Sequence, residues 1–369
     1  GFKHPEALRY EAASMIAWGA CCNFGDQLHP SGKMDSATYR NIGEAYAYAK
    51  EIEAYGIGGQ PVARLGLWRS FSAAHDEGLV KMLLEKQINF EVANFSKDLS
   101  AYECILIPGA ACLDAATADR LNAFAKAGGN LLVLGSGALD AEGKVLLDIG
   151  ADYLGEANYD RDYLAVEGAL AEGLVASPFL NYKPARRFKA HADAEVLAQL
   201  HEPFFSRTAE HYCSHQNTPH RLEPAEHPAI IRKGNIITIV PELDWMYLKH
   251  GARLHRDLFC NVLQHLQQRP MIEAKLPSAG RLTFLHQAEE GRYVAHLLYA
   301  PPMRRGNCEI IEDMPPLHEV PLQFDLPEKI TRAWLVPDGI DLTIVWKGER
   351  GTVVVPQFSG HCAVALYYK

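Results

Sequence analysis

Ser14-Met15-Ile16-Ala17-Trp18-Gly19-Ala20 is the stretch on which the fold reading turns. It is short and apolar, as a strand buried on both faces is. A polar loop, Asn23-Phe24-Gly25-Asp26-Gln27-Leu28-His29-Pro30, comes directly after it. Asp35 then stands where a helix cap belongs, and Tyr39, Ile42, Tyr46, Ala49 and Ile52 recur at helical spacing. One β-α unit cannot bury its own apolar strand and needs parallel neighbours. The expectation is therefore that the rest of that sheet lies upstream in a longer polypeptide or on another chain.

Outward from this unit, Gly56-Ile57-Gly58-Gly59-Gln60-Pro61 reads as a linker, because three glycines and a proline cannot continue the helix. An α/β pattern comes next. Val62 to Trp68, Ile88 to Val92, Cys104 to Gly109 and Leu131 to Gly135 read as strands. Between them lie helical runs, one from Gly78 to Gln87 and one capped by Asp114, carrying Leu121 and Phe124 and stopped by Gly128-Gly129. Strands alternating with helices predict a parallel, doubly wound sheet. From Ala151 to His227 the periodicity is poor, as in a long insertion over the sheet. Ile230 to Val240 restores a hairpin turning at Lys233-Gly234-Asn235, and a helix from Gly251 to Gln267 closes the domain. After Pro270 strands alone remain, and an antiparallel β-sandwich is expected.

The bulk properties narrow the function classes. The chain of 369 residues has room for two or three cores, and 48% hydrophobic with 22% charged residues is an ordinary globular composition. A net charge of −9 argues against a nucleic-acid partner, and no apolar run has the length of a membrane span. The eight cysteines are scattered, with no C-x-x-C pair, so no zinc cage is expected. Cys104, Cys260 and Cys362 sit in apolar runs as small core residues, which suits a reducing, cytoplasmic compartment.

Several stretches carry a family resemblance. Gly1 to Glu11, Gly25-Asp26-Gln27-Leu28-His29-Pro30, Ser214-His215-Gln216-Asn217-Thr218-Pro219, Leu276 to Arg281 and Ile311 to His318 resemble glycoside hydrolases in which a β-galactosidase-type trimerisation domain comes after a (β/α)8 barrel. The middle of the chain is similar to the class I glutamine amidotransferase fold. The resemblance implies an α/β protein in three parts. Residues 1–58 would be the terminal β-α unit of a truncated barrel, 59–270 a flavodoxin-like, amidotransferase-like trimerisation domain, and 271–369 the β-sandwich. It also implies a carbohydrate substrate of β-galactosidase or fucosidase type and a homo-oligomer, with a trimer favoured.

The barrel frame singles out candidate site residues. Residues at the C-terminal ends of barrel strands face the active site, which points to Asp26, Gln27 and His29, with Trp18 to stack on a sugar face. The run around His215 offers donors and acceptors suited to sugar hydroxyls. Glycoside hydrolysis needs two carboxylates flanking the bond, and the resemblance puts them on earlier barrel strands. Glu6 and Glu11 are spaced as helix residues and are not assigned that role. His211 and His215 have i, i+4 spacing, but their loop setting gives no metal expectation, and no cofactor is expected. Leu134-Gly135-Ser136-Gly137-Ala138 is the elbow candidate of the amidotransferase-like domain, without a cysteine and without the Gly-x-Ser-x-Gly spacing. Two alternatives stand beside the glycosidase reading: a non-catalytic assembly or carbohydrate-binding module, and an independent hydrolase working through Ser136.

Overall fold

The first apolar run folds as a helix. In the computed structural model, which describes residues 2–266 and 270–368, helix α1 spans Pro5–Ala17 and takes in most of the stretch expected as a strand. Pro5 starts it where a missing N–H is tolerated, and His4 Nδ1 accepts from the Glu6 amide at 3.3 Å. The expectation of a strand from Ser14 to Ala20 is corrected. Ser14 to Ala17 is the last turn of α1, and Trp18 to Ala20 leave it as turn and irregular chain. Helix α2 (Ser36–Ile52) is as expected, with Asp35 Oδ1 accepting from the Ala37 amide at 3.0 Å. The opening unit is thus α-loop-α rather than β-α. The misreading has a physical cause: α1 is buried on two sides, so its sequence is as apolar as a doubly buried strand. Leu8 and Ala12 pack with Ala45 and Ala49 of α2, while Ala13, Ile16 and Ala17 pack on Val294, Leu298, Ala363 and Ala365 of a sheet.

Contacts divide the chain into two compact units. One is built from the described residues of 1–63, 83–89 and 269–369, the other from those of 64–82 and 90–268. Gly1 and the expected helix end at Gln267 lie outside the described residues.

In the second unit the main sheet has nine strands among the described residues. They are β1 (Leu65–Trp68), β2 (Glu91–Ala93), β3 (Cys104–Ile107), β4 (Asn130–Leu134), β5 (Asp162–Leu164), β6 (Phe179–Asn181), β7 (Glu195–His201), β8 (Pro228–Lys233) and β9 (Ile236–Ile239). Their order is β2-β1-β3-β4-β9-β8-β7-β5-β6. The first five in that order pair in parallel, so β1, β3, β4 and β9 end side by side. Helices α3 (Ala73–Glu85) and α4 (Ala115–Lys126) come after β1 and β3. Gly78 of α3 has no room for a side chain, since a Cβ there would lie 1.9 Å from the Asp244 carbonyl oxygen. The β8–β9 hairpin turns through Gly234 at φ +57, as expected. The stretch with poor periodicity is more regular than its sequence suggests: β5, β6 and β7 extend the sheet antiparallel. The closing helix is α6 (Arg253–Gln264), within the expected range; an additional helix, α5 (Leu243–His250), precedes it and ends where Gly251 takes the left-handed conformation.

Among the described residues the first unit contains, besides a small hairpin of Met303–Arg305 with Cys308–Ile310, two large antiparallel sheets. Their strands are β10 (Ile272–Ala274), β11 (Gly280–Gln287), β12 (Arg292–Tyr299), β13 (Leu317–Phe324), β14 (Arg332–Val336), β15 (Ile340–Leu342), β16 (Val345–Lys347), β17 (Arg350–Phe358) and β18 (Gly360–Tyr367). One sheet runs Gln60–Pro61, then β11-β12-β18-β14-β15, and the other runs β10-β13-β17-β16. Tyr293, Ala295 and Leu297 of β12 join Cys362, Val364 and Leu366 of β18 in one core with Leu322, Phe324, Val353 and Val355 of the other sheet. The alternate residues, Val294, Leu298, Ala363 and Ala365, face α1 and α2.

Two histidines interrupt that apolar helix-side face, and a directional hydrogen-bond chain accommodates them. His296 Nε2 lies 3.1 Å from the Tyr55 carbonyl oxygen, so it carries the proton and donates. Its Nδ1 must then accept from His361 Nε2 at 3.0 Å. His361 Nδ1 in turn accepts from the Tyr48 hydroxyl at 2.8 Å. Every link requires both rings neutral. Burial, the main cause, moves His296 from 6.5 to about 4 and puts His361 well below its ordinary value. A depressed histidine stabilises the fold above its unfolded value and loses that contribution as the pH falls. The melting temperature should therefore be steady above about pH 6.5 and fall between 6.5 and about 4 as these rings are forced to charge. Tyr48→Phe, which strips His361 of its donor, should cost about 1–3 kcal/mol in urea unfolding at pH 7.5.

Candidate functional site

Three places hold chemistry. The first is the loop between α1 and α2. Asp26 Oδ1 accepts from the Gln27 amide at 2.9 Å. His29 Nδ1 accepts from the Ser31 amide at 3.2 Å and sits 2.8 Å from its hydroxyl. That pairing puts the ring proton on Nε2, which no intraloop bond uses. Asp35 bonds the Ala37 amide and the Thr38 hydroxyl, and these bonds hold its carboxyl below the usual range. Asp26, Gln27 and His29 line one cleft of about 330 Å³ with Phe2, Lys33 and Thr38. It lies at the small end of the range for ligand pockets. Trp18 is half exposed just past α1 and does not line this cleft.

The second place is the histidine-rich insertion loop. Its neck is closed by Phe204 N donating to Pro219 O at 3.1 Å and Arg221 N donating to Glu202 O at 2.8 Å. Buried Tyr163 OH donates to Thr218 O at 2.6 Å. Arg207 Nη1 donates to the carbonyls of His215 and Gln216 at 2.9 and 3.1 Å. These bonds act on the backbone, so the His215 ring stays exposed at the tip of a compact, closed loop. His211 instead stacks on Phe205 with centroids 3.7 Å apart. Among the described residues no group of three or more His, Cys, Asp or Glu could hold a metal ion. His215 belongs to the second unit, whereas Asp26, Gln27 and His29 belong to the first.

The third place was not anticipated from sequence. Where β1, β3, β4 and β9 end together, four oppositely charged side chains and a histidine meet. Glu242 accepts from Lys183 Nζ at 2.5 Å and from Arg186 Nη1 at 2.7 Å, and its carboxylate lies 3.4 Å from His75 Nε2. Asp244, fully buried, accepts from the Gly109 amide at 2.8 Å and lies 3.1 Å from His75 Nδ1. In doubly wound sheets this end, between β1 and β3, is where ligands usually bind. Here it is occupied by these paired side chains. A Cβ on Gly135 would lie 2.6 Å from Glu242 Cγ, and one on Gly109 3.0 Å from His75 Nδ1. Ser136 sits on the expected elbow, but its hydroxyl donates to Gly109 O at 2.6 Å rather than to a base. Burial pushes the Cys104 thiol up, away from its reactive form. The available signal was Glu242 and Asp244 directly after the strand 236–239.

Residues 80–156 match the family described as the β-galactosidase trimerisation domain. None of the curated proteins matches the chain. Among solved structures, α-L-fucosidase isoenzyme 2 from Paenibacillus thiaminolyticus is 32% identical with a TM-score of 0.94, over 100% of this chain and 58% of that one. The β-galactosidase Gan42B from G. stearothermophilus is 14% identical with a TM-score of 0.63, over 100% of this chain and 51% of that one. The cold-adapted β-galactosidase from Rahnella sp. R3 is 13% identical with a TM-score of 0.61, over 99% of this chain and 52% of that one. The β-galactosidases share the fold alone. Residues 80–156 thus match a β-galactosidase trimerisation domain, within a fold that the chain shares with these glycoside-hydrolase structures. The chain spans little more than half the length of each of these structures.

The charge cluster makes a test. Glu242→Ala leaves Lys183 without its carboxylate and Arg186 with Glu156 alone, and should lower the unfolding free energy by about 1–2 kcal/mol, since both cations keep access to water. Ser136→Ala should cost about 1 kcal/mol. Incubation of the unaltered protein with glutamine should release no ammonia above background; turnover lost on substituting Ser136, Cys104 or Cys112 would restore the hydrolase alternative.

Proposed function

We propose that the chain is the C-terminal portion of a carbohydrate-active glycoside hydrolase of fucosidase or β-galactosidase type, supplying assembly and part of the sugar pocket. The observation that carries this is the α-L-fucosidase similarity, 32% identical across 100% of this chain. In this reading α1 and α2 are helices at the end of a (β/α)8 barrel. Residues 20–24, which carry neither helix nor strand, would be the extended run between them. The barrel rule then applies to the loop beyond Phe24, and Asp26, Gln27 and His29 would face the sugar. The cleft they share and the unused His29 Nε2 suit hydroxyl recognition. The exposed His215 loop is also proposed for sugar contact in the assembled enzyme, since closed loops with fixed backbones often carry function.

The 59–270 segment is proposed as the trimerisation domain, 1–58 as the barrel end and 271–369 as a β-sandwich. In this reading the acid and the nucleophile would stand on other strands of the barrel. A non-catalytic assembly or carbohydrate-binding module is the competing reading, and the sheet end occupied by paired side chains favours it for the second unit taken alone.

In the full-length enzyme, Asp26→Ala and His215→Ala should each weaken kcat/KM by roughly fivefold, equivalent to about 1 kcal/mol, with the melting temperature nearly unchanged. Equal losses of stability and activity would make them loop-holding residues. Unchanged kinetics in both would remove them from the pocket. The chain by itself should turn over no aryl glycoside; turnover abolished by substituting a carboxylate of this chain would place the chemistry here.

A further inference from the structure

Phe71 is a bulky side chain in a backbone conformation that bulky residues avoid. Its φ is +60, and its ring is 77% exposed. Strain of this kind persists only where neighbours over-determine it. Here Asp76 does so: its Oδ1 accepts from the Ser70 amide at 3.0 Å and from the Ser70 hydroxyl at 2.6 Å. The Ser70 hydroxyl oxygen accepts from the Ser72 amide at 3.1 Å, and the Arg69 guanidinium covers the Phe71 ring at 4.8 Å. The turn therefore presents a largely exposed aromatic ring, with an arginine over it, to solvent at the end of β1. At the same end of the paired strand β2, Phe95 is 68% exposed and meets Trp68 edge-on at 5.4 Å. Strand β2 is an edge of the main sheet, and its Val92 is also exposed.

Aromatic rings with arginine are the composition of interface centres rather than of open surface. Phe95 lies within residues 80–156, the span matched by the trimerisation domain, and Phe71 lies on the turn just before it. We propose that Phe71, Phe95, Val92 and Arg69 form the anchor by which this domain docks on a second copy of the chain. The inference rests on the homo-oligomer reading and adds the face that makes the contact. The strained turn, held by Asp76, then serves to present the ring to the partner copy.

The test is a dilution series by light scattering or sedimentation on the full-length protein and on Phe71→Gly and Phe71→Tyr. Glycine removes the ring and relieves the φ +60 conformation, so its unfolding midpoint, compared at concentrations where both proteins are dissociated, should hold or rise. Its dissociation constant for assembly should rise by about thirtyfold or more. Tyrosine keeps the ring and should assemble as the unaltered protein does. An unaltered protein that is monomeric throughout would overturn the homo-oligomer reading itself. An assembled protein in which Phe71→Gly dissociates no more readily would overturn the assignment of this face and leave that reading standing.

Discussion

Burial of β12 and β18 on both faces is the constraint on which the first unit depends. Each strand gives alternate residues to two cores: Tyr293, Ala295 and Leu297 to one, Val294 and Leu298 to the other. A strand so placed needs a sheet on one side and helices on the other. The small residues Ala12, Ala13, Ala17, Ala363 and Ala365 let α1 and α2 come close enough to serve as that second cover. His296 and His361 are the polar exceptions, and they satisfy one another and Tyr48 along a single chain of donors. Losing any link leaves a polar ring atom in an apolar layer.

The second unit answers a different demand. Parallel strands β1, β3, β4 and β9 bring their carboxyl ends to one point, which in this topology opens a crevice. Glu242 and Asp244 close it, with His75, Lys183 and Arg186 as counter-groups. Lys183 and Arg186 come from the insertion between β6 and β7, so the same side chains that occupy the crevice also tie the insertion to the sheet. The charge cluster therefore closes the sheet end and anchors the insertion at the same time.

The candidate pocket residues stand on loops whose shape is set locally. Asp35 caps α2, Ser31 fixes the His29 ring, and Arg207 grips the backbone of the His215 loop. Side-chain heads are left exposed while the backbones are held. Such an arrangement suits recognition, where groups must be presented at small conformational cost.

Periodicity and turn chemistry alone located the parallel strands, the Asp114 and Asp35 caps, the Gly234 turn and the strand-rich end, because those depend on local rules. The loop Asp26 to His29 was also legible, from its polar composition after an apolar run. The helical state of Ser14 to Ala17 was not, because burial from two sides erases the amphipathic stripe that separates helix from strand. The insertion strands were hidden in the same way, by residues whose partners are distant in sequence. His75, Lys183, Arg186 and Glu242 are separated by up to many tens of positions, and no spacing rule joins them. Local sequence determined which segments could be regular and which residues could carry chemistry. Only tertiary structure decided which of them meet, because long-range packing and charge pairing are properties of neighbours that the chain brings together on folding.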